Sequence, residues 1–382
     1  MNLRRHSVGI GPFAANAGST GDRGIVNEET FHRMISLERR RTERSRKPFL
    51  LMLLDMGDHI PSEGTVKILG KMASALSVST RETDLAGWYK SDCVLGVMFT
   101  EIGIEDRNSI VSTMIARLST ALRSDLSLEQ FNQISVSFHL FPEEWNQDEP
   151  RRPSNPALYP DLSKRAEGRR LANALKRVMD VAGSAAALVF AAPLFLGIAL
   201  AIKATSRGPV FFRQRRIGQH GTPFVFLKFR SMQTGNDAST HKAYVQKMIA
   251  GKAERNPANG NGEGVFKLTK DPRITRVGAF LRRTSLDELP QFINVLRGEM
   301  SLVGPRPPVP YEVEAYDVWH RRRLLEAKPG ITGLWQVSGR CRVTFDDMVR
   351  LDLHYAKTWS PWLDIKILAR TPGVVVLGDG AF

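Results

Sequence analysis

The sequence predicts two domains: an α/β domain near the N-terminus, then a mainly α, monotopic domain anchored in a membrane by a re-entrant helix. Three observations predict this. Helix-length and strand-length apolar patterns alternate between about residues 28 and 140, a proline-rich stretch follows, and an uncharged run then carries basic residues at both ends. At 382 residues, 42% hydrophobic and 24% charged, the chain has room for two buried cores and is not a disordered composition.

Residues 1–26, rich in Gly, Ala and Asn, read as a tail outside the domains. Arg4, Arg5 and His6 precede no apolar run, so no secretory signal is read here. The first domain spans 27–142. Its helix runs from Phe31 to Arg46, with apolar Phe31, Met34, Ile35 and Leu37 ahead of a very basic stretch. Phe49 to Leu54 is a buried strand closed by Asp55, since a short unbroken apolar run suits a strand covered on both faces. Further helices are read over Val66–Leu76 and Ile110–Leu122. Leu85–Tyr89 and Val94–Phe99 form paired strands around a turn, and Ile134–Leu140 alternates as a half-buried strand. Residues 143–172, with Pro150, Pro153, Pro156 and Pro160 too closely spaced for a helix, form a linker.

The second domain, 173–382, opens with a membrane helix at about 174–204. Val181 to Ile202 contains no charged residue and is long enough for a bilayer core, which takes about 20 residues. Arg169, Arg170, Lys176 and Arg177 precede it, and Lys203, Arg207, Arg213, Arg215 and Arg216 follow. The positive-inside bias places both flanks on one side. Pro193 removes a backbone donor near the middle and supplies a bend. A helix that enters one leaflet and returns satisfies both observations; a straight span that tolerates Pro193 is the alternative. Trp359 to Leu377 reads as an amphipathic interfacial segment or an ordinary surface helix.

The net charge of +15 calls for an anionic partner, whether nucleic acid, acidic lipid or phosphorylated substrate. Only Cys93 and Cys341 are present, far apart, which excludes a disulfide framework and a zinc site. Beyond the anchor, Arg215 and Arg216 lie in Gln214–Gly218 and Lys228 and Arg230 in Leu227–Met232, Arg282 and Arg283 follow, and Arg306 stands between two stiffening prolines. Arginine's planar fork suits phosphate, although any single arginine fits a solvated face equally well. Asp287 and Glu288 come next to this basic region. The pattern predicts a helix from Ser285 to Leu296, with Ser285 as N-cap and Glu288 as its capping-box partner, or a start delayed to Pro290. Both carboxylates then sit at a helix N-terminus, where the anion is stabilised.

These stretches have more in common than their charge. Lys176-Arg-Val-Met-Asp180, the Pro-broken segment, Lys228-Phe-Arg-Ser-Met232, Asp271-Pro-Arg-Ile-Thr275 and Thr284-Ser-Leu-Asp-Glu-Leu-Pro-Gln291 come in order. Asn294–Gly298, Met300–Pro307, Lys328–Gly333, Gln336–Arg340, Tyr355 and Trp362–Lys366 follow. Together they resemble the bacterial sugar transferase family, the monotopic polyprenyl-phosphate phosphoglycosyl transferases, over about 200 residues. Many relatives carry Ser before the bend proline, where this chain has Ala192. The resemblance implies a catalytic domain on the bacterial inner membrane, monotopic and facing the cytoplasm. Its partners would be a UDP-sugar, undecaprenyl phosphate and inner-membrane lipid, with no nucleic acid. It implies Asp287 as nucleophile and ligand of a Mg²⁺ cofactor, and Glu288 as the group that positions or deprotonates the lipid phosphate. Lys228, Arg230, Arg282 and Arg306 become phosphate contacts; Gly330, Gly333, Gln336 and Arg340 shape the nucleotide-sugar side.

The first domain, in turn, resembles the diguanylate-cyclase (GGDEF) domain in element order. Its signature position reads Tyr89-Lys-Ser-Asp-Cys-Val94, where only Asp92 matches and the paired glycines that admit a phosphate are missing. The resemblance therefore implies a degenerate GGDEF-like module with a regulatory or dimerising role, a homodimer being one arrangement, or a purely structural one. Two non-enzymatic readings compete. A tethered nucleic-acid binder explains the charge and the anchor but not carboxylates set among arginines. A catalytically silent scaffold for polysaccharide assembly keeps the fold.

Overall fold

The computed structural model describes residues 25–55, 68–72, 74, 76, 81, 83–100, 102, 116, 120, 127, 134–142, 156–162, 168–233, 239–253, 273–339 and 343–376. The helix expected over 110–122 falls almost wholly outside these, as does the tail over 1–24; residues 68–72 of the helix expected over 66–76 are helical. Contacts divide the chain into two compact units, one of Met1–Met34 with Phe49–Phe138, the other of Ile35–Pro48 with His139–Phe382.

The first unit is built on a four-stranded sheet. Helix α1 (Glu28–Ser45) starts three residues before the expected Phe31, because Asn27 Oδ1 accepts the Thr30 amide and caps the first turn. Strands β1 (Phe49–Asp55), β2 (Leu85–Lys90), β3 (Val94–Phe99) and β4 (Ser135–Phe141) lie in the order β2-β3-β1-β4. The apolar run of β1 is buried on both faces and pairs antiparallel with β3. Gly87 and Gly96 face each other across β2 and β3, and a Cβ on either would lie within 2.5 Å of the fully buried Phe31 ring. The glycine pair is a socket for that ring.

In the second unit, helix α2 runs without interruption from Arg170 to Thr205, with Pro193 inside it. At about 1.5 Å per residue it is about 54 Å of helix. Its two ends dock and its middle does not. Near the start, Lys176 Nζ lies 2.6 Å from Asp364, Arg177 donates to the carbonyls of Val295 and Leu296, and Asp180 accepts from Ser301 Oγ and the Leu302 amide. Near the end, Ile198 and Ile202 pack with Phe229 and Leu281. Between these contacts Val189 and Phe190 are 71% and 84% exposed. A helix this apolar, with so exposed a middle, meets the length and composition for a membrane segment.

The linker expected over 143–172 is partly ordered packing. Leu158 and Tyr159 are buried, the Arg39 guanidinium sits 4.5 Å over the Tyr159 ring, and Arg39 pairs with Asp161. These contacts draw residues 35–48 into the second unit.

Beyond α2 come an antiparallel hairpin, β5 (Phe211–Ile217) and β6 (Pro223–Phe229), and helices α3 (Ser239–Ile249) and α4 (Arg276–Arg283). Helix α5 (Gln291–Leu296) leads to β7 (Ser301–Val303), then α6 (Pro310–Glu314) and α7 (Val318–Glu326). Strand β8 (Gly330–Thr332) pairs parallel with β7, and α8 (Leu334–Ser338), α9 (Phe345–Thr358) and α10 (Pro361–Val376) close the unit. Helix α10 exposes Trp362 and Ile365 while burying Asp364 and Ile367.

Buried inside this helical part, Arg323 on α7 and Asp352 on α9 form an ion pair at 2.7 Å, both almost fully removed from water. Burial pushes the Asp352 carboxyl up to about 6 even with the arginine alongside. Removing one partner of such a pair strands the other charge. Asp352→Ala is therefore expected to destabilise the second unit by about 3–5 kcal/mol, read as a lower denaturation midpoint of the detergent-solubilised full chain; an unchanged midpoint contradicts it.

Candidate active site

Asp287 lies on a short turn between two helices, against strand β6. Helix α4 ends at Thr284, and Ser285 takes a left-handed backbone conformation (φ 55°) that turns the chain back. Leu286–Glu288 form one turn of 3-10 helix, and Pro290 introduces α5. The expected single helix over 285–296 is thus a tight turn followed by a short helix, and the expected capping box is absent. Its N-cap requires an extended backbone, which Ser285 lacks, and the Ser285 hydroxyl makes no capping bond. Glu288 is freed from a capping role, and its carboxylate goes elsewhere.

It goes to Lys228. The ammonium of Lys228, on β6, lies 2.8 Å from Glu288 Oε1 and 3.5 Å from Asp287 Oδ2. One cation therefore serves two adjacent carboxylates. Asp287 is buried. Glu288 keeps 36% of its side-chain surface open to water although protein surrounds it densely, which places it in a crevice rather than on a convex surface. Burial raises the Asp287 carboxyl above its ordinary range; Lys228 and Arg282 pull it back, and the Glu288 charge adds to the rise. For Glu288 burial also pulls upward, but Lys228, Arg306 and Arg216 outweigh it and hold the carboxyl below the ordinary range. Two neighbouring carboxylates pushed in opposite directions are equipped for different tasks.

The register of the hairpin sets opposite one another Phe212 and Lys228, Gln214 and Phe226, and Arg216 and Phe224. Phe226 carries two cations on its ring, Arg216 at 4.4 Å and Lys228 at 5.7 Å. Arg216 is buried, and its guanidinium donates to Gln214 Oε1 and to the Pro307 carbonyl. Burial brings it down to about 10, so it remains a cation at neutral pH. The sequence places Arg216 both among the membrane flanks and in a basic cluster suited to phosphate; its partners in the site depend on cross-strand register.

Arg306 is exposed on the loop after β7, with its backbone fixed from behind. Its carbonyl accepts from Arg323 Nη2 at 3.1 Å, and Arg323 is neutralised by Asp352. The Gly330 amide donates to the Pro305 carbonyl, and the Gly304 amide to that of Thr332, each at 2.8 Å. A Cβ on Gly330 would lie 2.0 Å from the Gly304 nitrogen, and one on Gly333 2.4 Å from the Gly304 oxygen. These two glycines, expected to shape the nucleotide-sugar side, allow two backbones to touch and so hold the Arg306 loop. Gln336 donates weakly to the Ile331 carbonyl at 3.4 Å, while its buried Oε1 has no hydrogen-bond partner among the described residues. Arg282 Nε donates to Ser231 Oγ at 3.0 Å. Arg340 and Asp271 lie outside the described residues.

Arg230 departs from its expected role. It is buried, and its terminal nitrogens donate to the carbonyls of Arg207 and Ser206 and to Ser206 Oγ, just past the end of α2. Those orphan helix-end carbonyls need donors, and a guanidinium fork supplies them. Arg230 ties the end of α2 to the strand that carries Lys228, with both terminal nitrogens engaged by that chain segment.

Residues 171–378 match the family described as bacterial sugar transferase. The chain belongs to that family. Among curated relatives it is 46% identical over 217 residues to the undecaprenyl-phosphate galactose phosphotransferase of Salmonella typhimurium, covering 56% of this chain and 43% of that one. It is 39% identical over 236 residues to the exopolysaccharide production protein ExoY of Rhizobium meliloti, covering 61% of this chain and 98% of that one. The chain thus spans less than half of the Salmonella protein and nearly all of the Rhizobium one. Among solved structures, a DGC protein from Thermotoga maritima aligns at TM-score 0.26 and 19% identity, covering 31% of this chain and 84% of that one. Every named site residue, Lys228 through Arg340, falls within the span matched to the family.

If Lys228 is what keeps both carboxylates ionised, Lys228→Met raises the titration midpoints of Asp287 and Glu288 together. Side-chain carboxyl NMR, with Asp287→Asn and Glu288→Gln for assignment, measures this; unmoved midpoints contradict it.

Proposed function

We propose that this chain transfers a sugar 1-phosphate from a UDP-sugar to undecaprenyl phosphate, as the first membrane step of exopolysaccharide or glycan synthesis. The observation that carries this reading is the buried Asp287, adjacent to Glu288 and held by a shared Lys228 among arginines. Family membership and the printed name of the Salmonella relative support the substrate class.

A carboxylate oxygen of Asp287 attacks the β-phosphorus of the UDP-sugar. The bond from that phosphorus to the UMP oxygen breaks, UMP leaves, and the phosphosugar is held as an acyl phosphate on Asp287. A phosphate oxygen of undecaprenyl phosphate, positioned or deprotonated by Glu288, then attacks the same phosphorus. The bond from that phosphorus to the Asp287 oxygen breaks, which regenerates the carboxylate and yields the lipid diphosphate sugar. Lys228, Arg216, Arg282 and Arg306 supply positive charge where phosphoryl oxygens gain negative charge.

Among the described residues no three His, Cys, Asp or Glu side chains gather as a metal cage. Two adjacent carboxylates without a cage fit Mg²⁺, which keeps its waters and binds through one or two carboxylates and substrate phosphates. Asp287 is the ligand we assign, and a bound Mg²⁺ would offset phosphate charge.

The protein is placed on the cytoplasmic face of the bacterial inner membrane, bent at Pro193. Support comes from the basic flanks and from the docking of both ends of α2 on one body around an exposed apolar middle. The first unit, whose signature position keeps Asp92 but lacks the phosphate-admitting glycines, is assigned a non-catalytic, degenerate GGDEF-like role.

Purified full-length protein incubated with undecaprenyl phosphate, Mg²⁺ and a panel of UDP-sugars should release UMP, and Asp287→Asn should release none. UMP absent with every donor supports the silent scaffold instead. Glu288→Gln is expected to retain a single-turnover burst of UMP while lipid product forms about 10²–10⁴-fold more slowly, measured by rapid quench; equal loss of both steps contradicts the division of labour. For the anchor, cysteines placed at Leu171 and Thr205 should both resist a membrane-impermeant reagent applied from the periplasm, and labelling at either position rules out the bend.

A further inference from the structure

Asn294 is fully buried on α5, and the site described above does not use it. Its Oδ1 accepts the Leu227 amide at 3.1 Å, and its Nδ2 donates to the Val225 carbonyl at 2.7 Å and to Glu299 Oε2 at 2.6 Å. The orientation of the amide is determined by its partners, since a backbone N–H only donates and a backbone carbonyl only accepts.

Val225 and Leu227 are two residues apart on β6, so both present their backbone groups to the same edge of the strand. Among the described residues the sheet pairs two strands, with β5 along one edge of β6. Asn294 occupies the other edge as a peptide-sized substitute for a strand partner. A two-point contact fixes both the position of β6 along its axis and its rotation. A slip of one residue would turn Lys228, the next residue, to the opposite face. Helix α5 begins three residues beyond Glu288, so one side chain connects the segment holding the carboxylates with the strand holding their cation.

We propose that Asn294 is a positioning residue for the transfer reaction: by pinning the Val225–Leu227 edge of β6 to α5, it sets where the Lys228 ammonium meets Asp287 and Glu288. The proposal rests on the transferase reading for its kinetic consequence, though not for the pinning itself. Glu299 completes the arrangement by engaging the second amide hydrogen, which keeps the side chain from rotating away.

The test uses the full chain in detergent or nanodiscs. Asn294→Ala is expected to lower kcat for UMP release about 10–100-fold, as for a reacting group displaced by about 1 Å, with a smaller change in KM for the UDP-sugar. Lys228→Arg already displaces the cationic head, so adding Asn294→Ala to it should cost less than the product of the two separate losses. A residue that merely stabilised the fold would multiply its loss in either background, and full multiplicativity or a wild-type kcat in Asn294→Ala overturns the proposal. Should Asn294→Ala not fold, Asn294→Asp keeps the acceptor for Leu227 and loses the donors, and Glu299→Gln in that background restores a donor to the carboxylate. Recovery of rate in that pair is expected; no recovery overturns the role given to Glu299 and Asn294 together. If the wild-type protein releases no UMP with any donor, the transferase reading fails by itself. The pinning is then judged from amide exchange over 223–229: faster exchange in Asn294→Ala supports it and unchanged exchange sinks it.

Discussion

Burial and a neighbouring carboxylate both work against the ionised form of Asp287, and the nearest cation that opposes them is the ammonium of Lys228. Most of the second unit can be understood as the support this one placement requires. The hairpin sets the face of the lysine, Phe226 gives its positive head an aromatic surface, and Arg230 ties the end of the strand to the membrane helix. The left-handed Ser285 turns the chain back into the single 3-10 turn that carries the two acids, and the one ammonium reaches both.

Arginine serves two separate purposes in this molecule. Arg230 and Arg323 are buried and hold main-chain carbonyls, while Arg306 is exposed and Arg216 stands between the two groups, buried yet electrically coupled to Glu288. A guanidinium suits both purposes because it keeps its charge under desolvation and presents donors in a rigid plane. The same geometry that binds a phosphate can hold a peptide loop in shape.

This duality explains what could be read from the sequence. Asp287, Glu288, Lys228 and Arg306 were recognisable because carboxylates set among basic residues form a local pattern, and the long uncharged segment was recognisable by length alone. The strands β1, β2 and β3 were legible from apolar runs and turn residues. Arg230 was not separable from Lys228, two residues away, because its function depends on the carbonyls past the end of α2, far off in sequence. The partners of Arg216 were hidden by the same non-locality, since only the pairing of β5 with β6 brings it to Phe226. The cap assigned to Ser285 failed for a different reason: the serine-to-glutamate spacing is correct, but backbone handedness at one residue overrode it. At Gly330 and Gly333, expected to shape the nucleotide-sugar side, the close approach of two backbones was not legible, because it depends on Gly304, far off in sequence.

The way α2 is held has a consequence for what the anchor is. A tether can be cut away and leave a working body behind. Here, removing the helix would strip Asp364 of Lys176, deprive Ser301 and Leu302 of the Asp180 carboxylate, and open the apolar floor formed by Phe229 and Leu281. The carbonyls of Ser206 and Arg207, which Arg230 holds, would lose the helix end that positions them. Both ends of α2 are thus part of the second unit's own packing, and cutting the helix away would remove contacts on which that unit is built.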